Sequence, residues 1–161
     1  MSSMKGTHLT TYLNDHLAGS VVALELLDYL TGLERADRPV LAALRTEVEE
    51  DQVVLKQLLE RVGGKESQLR KAGAWISEKL GQAKLRLDDP NTGDLRRLEA
   101  LETLALGIQG KLALWRALSA IARQVPQLEA ADLPRLQQRA IDQFGRVDAL
   151  RIQAAQASLV S

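Results

Sequence analysis

Leucine and alanine recur at helical spacing through four long segments of this chain, and no other feature constrains its fold as strongly. Residues three and four positions apart share one face of an α-helix, so each segment would present an apolar seam to its neighbours. The seam of the second segment reads Leu41, Leu44, Val48, Asp51, Leu55, Leu58 and Val62. Aromatic residues make up only 3% of the chain, so strands lack their preferred residues and an all-α fold is predicted.

Helix-capping and helix-breaking residues mark where these segments begin and end. The predicted long helices cover residues 7–33, 38–62, 94–123 and 132–157, with a shorter helix over 67–87, in one domain spanning 1–161. Side-chain oxygens of aspartate and threonine accept hydrogen bonds from the N–H groups of a first helical turn. The predicted caps of the four long helices are Thr7, Asp37, Asp94 and Asp132. Gly63 and Gly64 would end the second helix.

The lengths of the connections predict how the helices are arranged. The turns after the first and third long helices are short, so each of those helices would form an antiparallel hairpin with its successor. The longer connection between the hairpins would carry the chain back along the bundle. Gly107 and Gly110 lie inside the third long helix, where glycine is costly, so we expect a tight helix crossing there. The predicted architecture is an up-down four-helix bundle with a short extra helix in the crossover.

Two segments carry a resemblance to known proteins. Residues 12–20, Tyr-Leu-Asn-Asp-His-Leu-Ala-Gly-Ser, and residues 106–116, Leu-Gly-Ile-Gln-Gly-Lys-Leu-Ala-Leu-Trp-Arg, are similar to a small group of bacterial proteins without an assigned activity. The succession of hairpin, crossover and hairpin over residues 7–157 resembles the ferritin-like superfamily. That resemblance implies a ferritin-like bundle. It also implies a di-iron site with a carboxylate on each of the first and third long helices and a Glu-x-x-His pair on each of the other two.

The di-iron ligand set is incomplete in this sequence. The chain contains only two histidines, His8 and His16, and neither belongs to a Glu-x-x-His pair. Both lie in the first helix, so the second and fourth long helices offer carboxylates alone. We therefore predict a bundle that lacks the di-iron site, binds no cofactor and has a non-catalytic structural or protein-interaction role.

An alternative ligand set for a divalent metal stays open. Carboxylates of the first three long helices, together with one histidine, would make a divergent metal-binding protein or oxidoreductase. The candidate ligands are His16, Glu25, Glu47, Glu50, Asp51 and Glu102. The competing interpretation is structural. His16 would be a half-buried side chain hydrogen-bonded to a neighbouring helix, and Asp51 would fix helix register with a partner such as His16, Arg45 or Lys111.

Charge and residue content narrow the range of partners. The chain has 21 basic and 21 acidic residues, which leaves no net field to attract nucleic acid or an anionic membrane. It has no cysteine, so disulfides and thiolate metal sites are excluded. No apolar run reaches membrane-spanning length, and residues 1–7 do not resemble a signal peptide, so we expect a cytoplasmic protein.

The first helix carries more apolar residues than one bundle interior requires. Val21, Val22 and Tyr29 widen its apolar surface beyond a single seam. Surplus apolar surface marks an interface, and symmetric dimers are the commonest soluble oligomers. We expect a homodimer built on the first helix or on the crossover, and an unidentified protein partner is a second option. A third option is a small apolar ligand in the bundle interior, lined by Leu24, Leu55, Ile108 and Phe144.

Overall fold

The computed structural model describes residues 2–33, 36–66 and 93–160, and these form four long helices. The helices are α1 (Ser2–Gly32), α2 (Arg38–Arg61), α3 (Gly93–Ile121) and α4 (Leu133–Ser158), with a 3-10 helix at Pro126–Ala130. The described residues contain no strand, so the prediction of an all-α four-helix protein is confirmed. The predicted helix over residues 67–87 lies outside the described residues. Among the described residues, no helix has an apolar stretch sufficient to span a lipid bilayer.

Local hydrogen bonding explains two of the helix boundaries. At the start of α4, the Asp132 carboxylate accepts a hydrogen bond from the backbone N–H of Arg135 at 3.2 Å, as its predicted role as a cap requires. At the end of α2, Gly63 has a φ of +79°, which glycine adopts without strain. The N–H of Gly63 donates to the Glu60 carbonyl, and the N–H of Gly64 donates to the Leu59 carbonyl. This pair of bonds forms a Schellman motif and ends the helix.

The predicted cap Asp37 occupies the N-cap position of α2, whereas the predictions of Thr7 and Asp94 as caps are wrong. The Asp37 carboxylate makes no capping hydrogen bond and instead pairs with Arg97 of α3. The Arg97 guanidinium is buried and needs a carboxylate partner, whereas the N–H groups of an exposed helix end can hydrogen-bond to water. The helix α1 already begins at Ser2, which places Thr7 inside it, and α3 begins at Gly93, which places Asp94 in its first turn.

Side-chain contacts give the direction of each helix relative to its neighbours. Asp28 of α1 pairs with Arg45 of α2 at 2.5 Å, and Ser20 accepts a hydrogen bond from Gln52 at 2.8 Å. Higher residue numbers on α2 thus pair with lower residue numbers on α1, so these two helices form an antiparallel hairpin. The helices α3 and α4 pack against each other as a second hairpin, and α1 also packs against α3.

The helices α2 and α3 run parallel to each other. Asp37 pairs with Arg97, and Asp51 pairs with Lys111, so residue numbers on the two helices rise together. Consequently, α2 ends at one end of the bundle and α3 begins at the other.

The core consists mainly of leucine contributed by all four helices. Its most deeply buried members include Leu13, Leu17, Leu27, Leu44, Leu101, Leu118 and Trp115. Phe144, which is predicted to line the bundle interior, is only half-buried, while its neighbour Gln143 is 0% exposed. Both positions fit helical spacing. The buried amide of Gln143 hydrogen-bonds to groups on α2 and α3, and these contacts set the rotation of α4.

The expected tight crossing at Gly107 and Gly110 is also wrong. A Cβ atom added at either glycine would have no neighbour within 4 Å. The close approach occurs instead at Gly64, after the end of α2, where an added Cβ would overlap Leu59 Cδ1 and lie 3.0 Å from Thr10 Cγ2. Gly64 is therefore the glycine that lets the end of α2 pack against α1.

These two environments predict opposite effects of adding the same methyl group. Gly64→Ala forces the buried Leu59 side chain to move, and we expect it to lower the free energy of unfolding by about 1–3 kcal/mol. Gly110→Ala adds a methyl in open space inside a helix, and we expect it to raise that free energy by up to about 1 kcal/mol. Urea unfolding of both variants measures the difference. Changes of the same sign would contradict this assignment of the close approach.

Candidate functional site

A set of polar side chains is buried where α2, α3 and α4 meet. Asp51 is 3% exposed and Gln143 is 0% exposed. The Lys111 ammonium lies between them, 2.6 Å from Asp51 Oδ2 and 2.5 Å from Gln143 Oε1. We refer to Asp51, Lys111 and Gln143 as the Lys111 cluster. Each member comes from a different helix, so the cluster links three of the four helices through charged or polar contacts.

Further charges from α2 and α4 surround the Lys111 cluster. Glu47 accepts a hydrogen bond from Gln143 Nε2 at 3.1 Å and another from Arg146. Arg139 donates to Glu50 at 2.5 Å, and its Nη1 lies 3.7 Å from Asp51 Oδ1. Three carboxylates of α2 are thus matched by three cations, one from α3 and two from α4.

Burial and pairing act against each other on the pKa values of this network. Burial lowers the pKa of Lys111, and the adjacent Asp51 carboxylate opposes that change by favouring the ammonium. Burial alone would raise the pKa of Glu47, but hydrogen bonds from Arg146 and Gln143 and the nearby guanidinium charges outweigh it and lower that pKa. The ion pairs therefore keep Glu47 ionised in a partly buried position.

The candidate metal ligands are only partly brought together. Glu47, Glu50 and Asp51 share the face of α2 that meets α4. His16 lines the same interior cavity as Asp51, but its ring contacts Tyr12 edge-on at 4.7 Å between centroids. Burial lowers the pKa of His16, with partial opposition from Asp15, so its imidazole is neutral at pH 7.

The remaining two candidates lie elsewhere. Glu102 pairs with Arg151 of α4 at 3.5 Å, and half of its side chain is exposed. Glu25 is half-buried on α1. Across the residues that the structure describes, no group of three or more histidine, cysteine, aspartate or glutamate side chains is placed to hold a metal ion.

Sequence reasoning missed most of the cations in this network. It named Lys111 as one of three partners for Asp51, but it did not identify Gln143, Arg139 or Arg146. Their spacing carried a usable signal, because positions 139, 143 and 146 lie on one face of a helix. A helix face with two arginines on either side of a glutamine is complementary in charge to an acidic stretch on a facing helix.

An interior cavity of about 80 Å³ lies beside the Lys111 cluster. Leu55 and Ile108 line it, as predicted, whereas Leu24 does not belong to its lining. Phe144 instead lines a shallow groove between α3 and α4 on the outside of the bundle, beside the exposed Leu106. The cavity is smaller than the 300–1,000 Å³, roughly, of a typical site for a drug-sized ligand.

Comparisons of this chain with models of protein families, with curated proteins and with solved structures found no match.

The Lys111 cluster predicts strong coupling between its two charged members. Lys111→Met leaves a buried carboxylate without its cation, and we expect the free energy of unfolding to fall by about 3–5 kcal/mol. The double variant Asp51→Leu/Lys111→Met should lose less than the sum of the two single losses, because neither charge is left unpaired. Urea unfolding of the full mutant cycle measures this coupling.

The pair of Arg96 and Glu99, 3.4 Å apart on α3 and with half of the Glu99 side chain exposed, serves as the control. Glu99→Gln should change the free energy of unfolding by about 1 kcal/mol or less, because water solvates the Glu99 carboxylate and weakens its attraction to Arg96. Strict additivity of Asp51→Leu and Lys111→Met would show that the two buried charges do not stabilise each other.

Proposed function

We propose that this chain is a ferritin-like four-helix bundle without a di-iron site, and that it acts without catalysis by binding other protein chains. Two features of the fold support the ferritin-like assignment. The first is the pair of antiparallel hairpins, α1 with α2 and α3 with α4. The second is the parallel direction of α2 and α3, which requires the chain to return along the bundle between the hairpins.

The observation that carries the non-catalytic role is the position of the Lys111 ammonium. It lies among carboxylates of α2 and contacts α4, in the part of a bundle where facing helices direct metal ligands inward. The α2 carboxylates are already matched by Lys111, Arg139 and Arg146. A divalent cation would have to displace these ion pairs and lie close to a buried positive charge, which is electrostatically unfavourable.

Metal analysis of the purified protein tests this proposal. We expect no stoichiometric metal and no change in melting temperature when Fe²⁺, Mn²⁺ or Zn²⁺ is added. A metal that binds only the folded state stabilises it by about 2.7 kcal/mol at a hundred times its dissociation constant, so such binding would be easily detected.

The competing function is that of a divergent metal-binding protein or oxidoreductase built on His16 and the carboxylates. Stoichiometric metal, with a melting shift that Asp51→Asn abolishes and Glu99→Gln retains, would establish it in place of our proposal. Glu99 is the matched control because it is an exposed acidic residue on α3 that belongs to no candidate ligand set.

We also propose that a second copy of this chain is the first partner, and that it binds an outer stripe of Ile141, Ile152 and Leu159. Ile141 and Ile152 of α4 are 43% and 45% exposed, and Leu159, directly after α4, is 64% exposed. Their spacings of eleven and seven residues return to the same side of a helix, so the three side chains lie on one side of it, with Gly145 and Asp148 between the first two. The zero net charge of the chain gives two copies little long-range repulsion.

This location differs from the one expected from sequence. Val21, Val22 and Tyr29 of α1 are half-buried within a single chain, so α1 offers less spare apolar surface than its composition indicated. Among the described residues, the exposed large apolar side chains lie on α2, on α3, on α4 and in the residues that follow α4.

Sedimentation over a range of protein concentrations tests the dimer. We expect a reversible dimer that Ile152→Glu converts to a monomer, because the new carboxylate would be buried at the interface. Val53→Glu on α2 is the matched control, since Val53 is 47% exposed and lies outside the outer stripe. A monomer at all concentrations, or equal weakening by both substitutions, would contradict the proposed interface.

A further inference from the structure

Leu106 carries the most exposed large apolar side chain in any helix that the structure describes. It is 69% exposed, whereas the others that these helices expose are between 36% and 47% exposed. It lies at the edge of a groove between α3 and α4, whose lining includes Ala105, Gln109 and Phe144. We refer to this recess as the α3–α4 groove. A protruding apolar side chain and a recess thus lie side by side on one surface of the hairpin.

The α3–α4 groove adjoins the surface proposed above for the second copy. Phe144 and Asp148 line the groove, and both fall between Ile141 and Ile152 along α4. Asp148 lies on nearly the same side of α4 as the two isoleucines, at the place where the outer stripe has no apolar side chain. The groove therefore continues the proposed interface from α4 onto α3.

The exposed residues around the groove are almost free of charge. Charged residues make up 26% of the chain, yet Glu102 is the only one among the exposed residues at positions 102–115 and 143–160. A surface that faces water is normally rich in charged residues, whereas the centre of a protein interface is depleted in them. This part of α3 and α4 therefore has the composition of an interface.

The charges in the lining of the groove are already paired. Arg151 lies 2.8 Å from Asp148 and 3.5 Å from Glu102, so one guanidinium bridges both carboxylates. Covering a charge is costly when it loses water without gaining a partner. Because these three side chains pair within one chain, a second copy can cover the groove without leaving any of them unpaired.

Symmetry supplies a side chain of suitable size for the groove. A cavity of about 150 Å³ holds benzene, so the groove, at about 290 Å³, has room for a leucine side chain. In a two-fold dimer both copies contribute the same surface, so a surface with a protrusion and a recess can bind itself. Leu106 lies at the level of the groove along the hairpin. A two-fold axis along the helices keeps that level and brings Leu106 of one copy to the groove of the other.

We propose that Leu106 of each copy inserts into the α3–α4 groove of the other copy and packs against Phe144. This inference rests on the dimer proposed above and identifies the contact between Ile141 and Ile152 that joins its two copies.

Sedimentation of two alanine variants tests the insertion. Leu106→Ala should raise the dissociation constant of the dimer about tenfold or more, because each copy loses a side chain buried in the other. Ile121→Ala is the matched control and should leave that constant nearly unchanged. It removes an exposed apolar side chain from the same helix, about 22 Å from Leu106. Thermal melts verify that both variants fold.

NMR of the unsubstituted chain tests the same contact directly. Phe144 is the only phenylalanine of the chain, so its ring protons are unambiguous. One deuterated preparation carries ¹³C-labelled leucine methyl groups, and a second carries protonated phenylalanine. In the mixed sample, a nuclear Overhauser effect between a Leu106 methyl group and the Phe144 ring arises only between copies. We expect this effect, and Leu106→Ala identifies the methyl signal by its loss.

The results distinguish this inference from the proposed dimer itself. A chain that is monomeric at every concentration contradicts the dimer and, with it, the insertion of Leu106. A dimer that Leu106→Ala and Ile121→Ala weaken equally, or one without the Leu106–Phe144 effect between copies, overturns the insertion alone. The dimer would then stand, and the groove would belong to a different partner.

Discussion

The buried ammonium of Lys111 is the constraint on which the arrangement of the bundle depends. A charge removed from water is tolerated only when close, well-directed partners replace its hydration. Those partners come from α2, through Asp51, and from α4, through Gln143. A shift of one residue along either helix would rotate the partner by about 100° and break the contact. The polar cluster therefore fixes a register that interchangeable leucine side chains leave less well determined.

The helices themselves could be predicted because their signal is local and repeated. Each seam contributes many apolar residues at the same spacing, so a single misplaced residue does not hide the pattern. Features that depend on contacts with another helix were harder to predict from the sequence. Asp37 has the features of a cap, but Arg97 of α3 takes its carboxylate. Phe144 and Gln143 both fit the seam of α4, and hydrogen bonds to other helices bury Gln143. In both cases a long-range polar contact outweighs a local preference.

The residues of the candidate site also differ in whether the sequence alone could identify them. Asp51 stood out because it is the one polar residue in an apolar seam, and such a residue must find a partner. Arg139 and Arg146 did not stand out, because polar residues along an amphipathic helix usually face water. The glycines of α3 show most clearly what the sequence leaves undetermined. A mid-helix glycine is equally compatible with a close neighbour and with open space beside the helix, and only the packing of α1 against α3 distinguishes the two.

Lys111 meets only part of the hydrogen-bonding capacity of Asp51. An ammonium group is a compact donor, and Lys111 satisfies one oxygen of Asp51. A guanidinium at the same position would present two parallel N–H groups and would match both carboxylate oxygens. With lysine, Asp51 Oδ1 has no hydrogen-bond donor, and Arg139 Nη1 of α4 lies 3.7 Å from it. The Asp51 carboxylate is thus held between two cations from different helices, so a single side chain of α2 contacts both helices of the second hairpin.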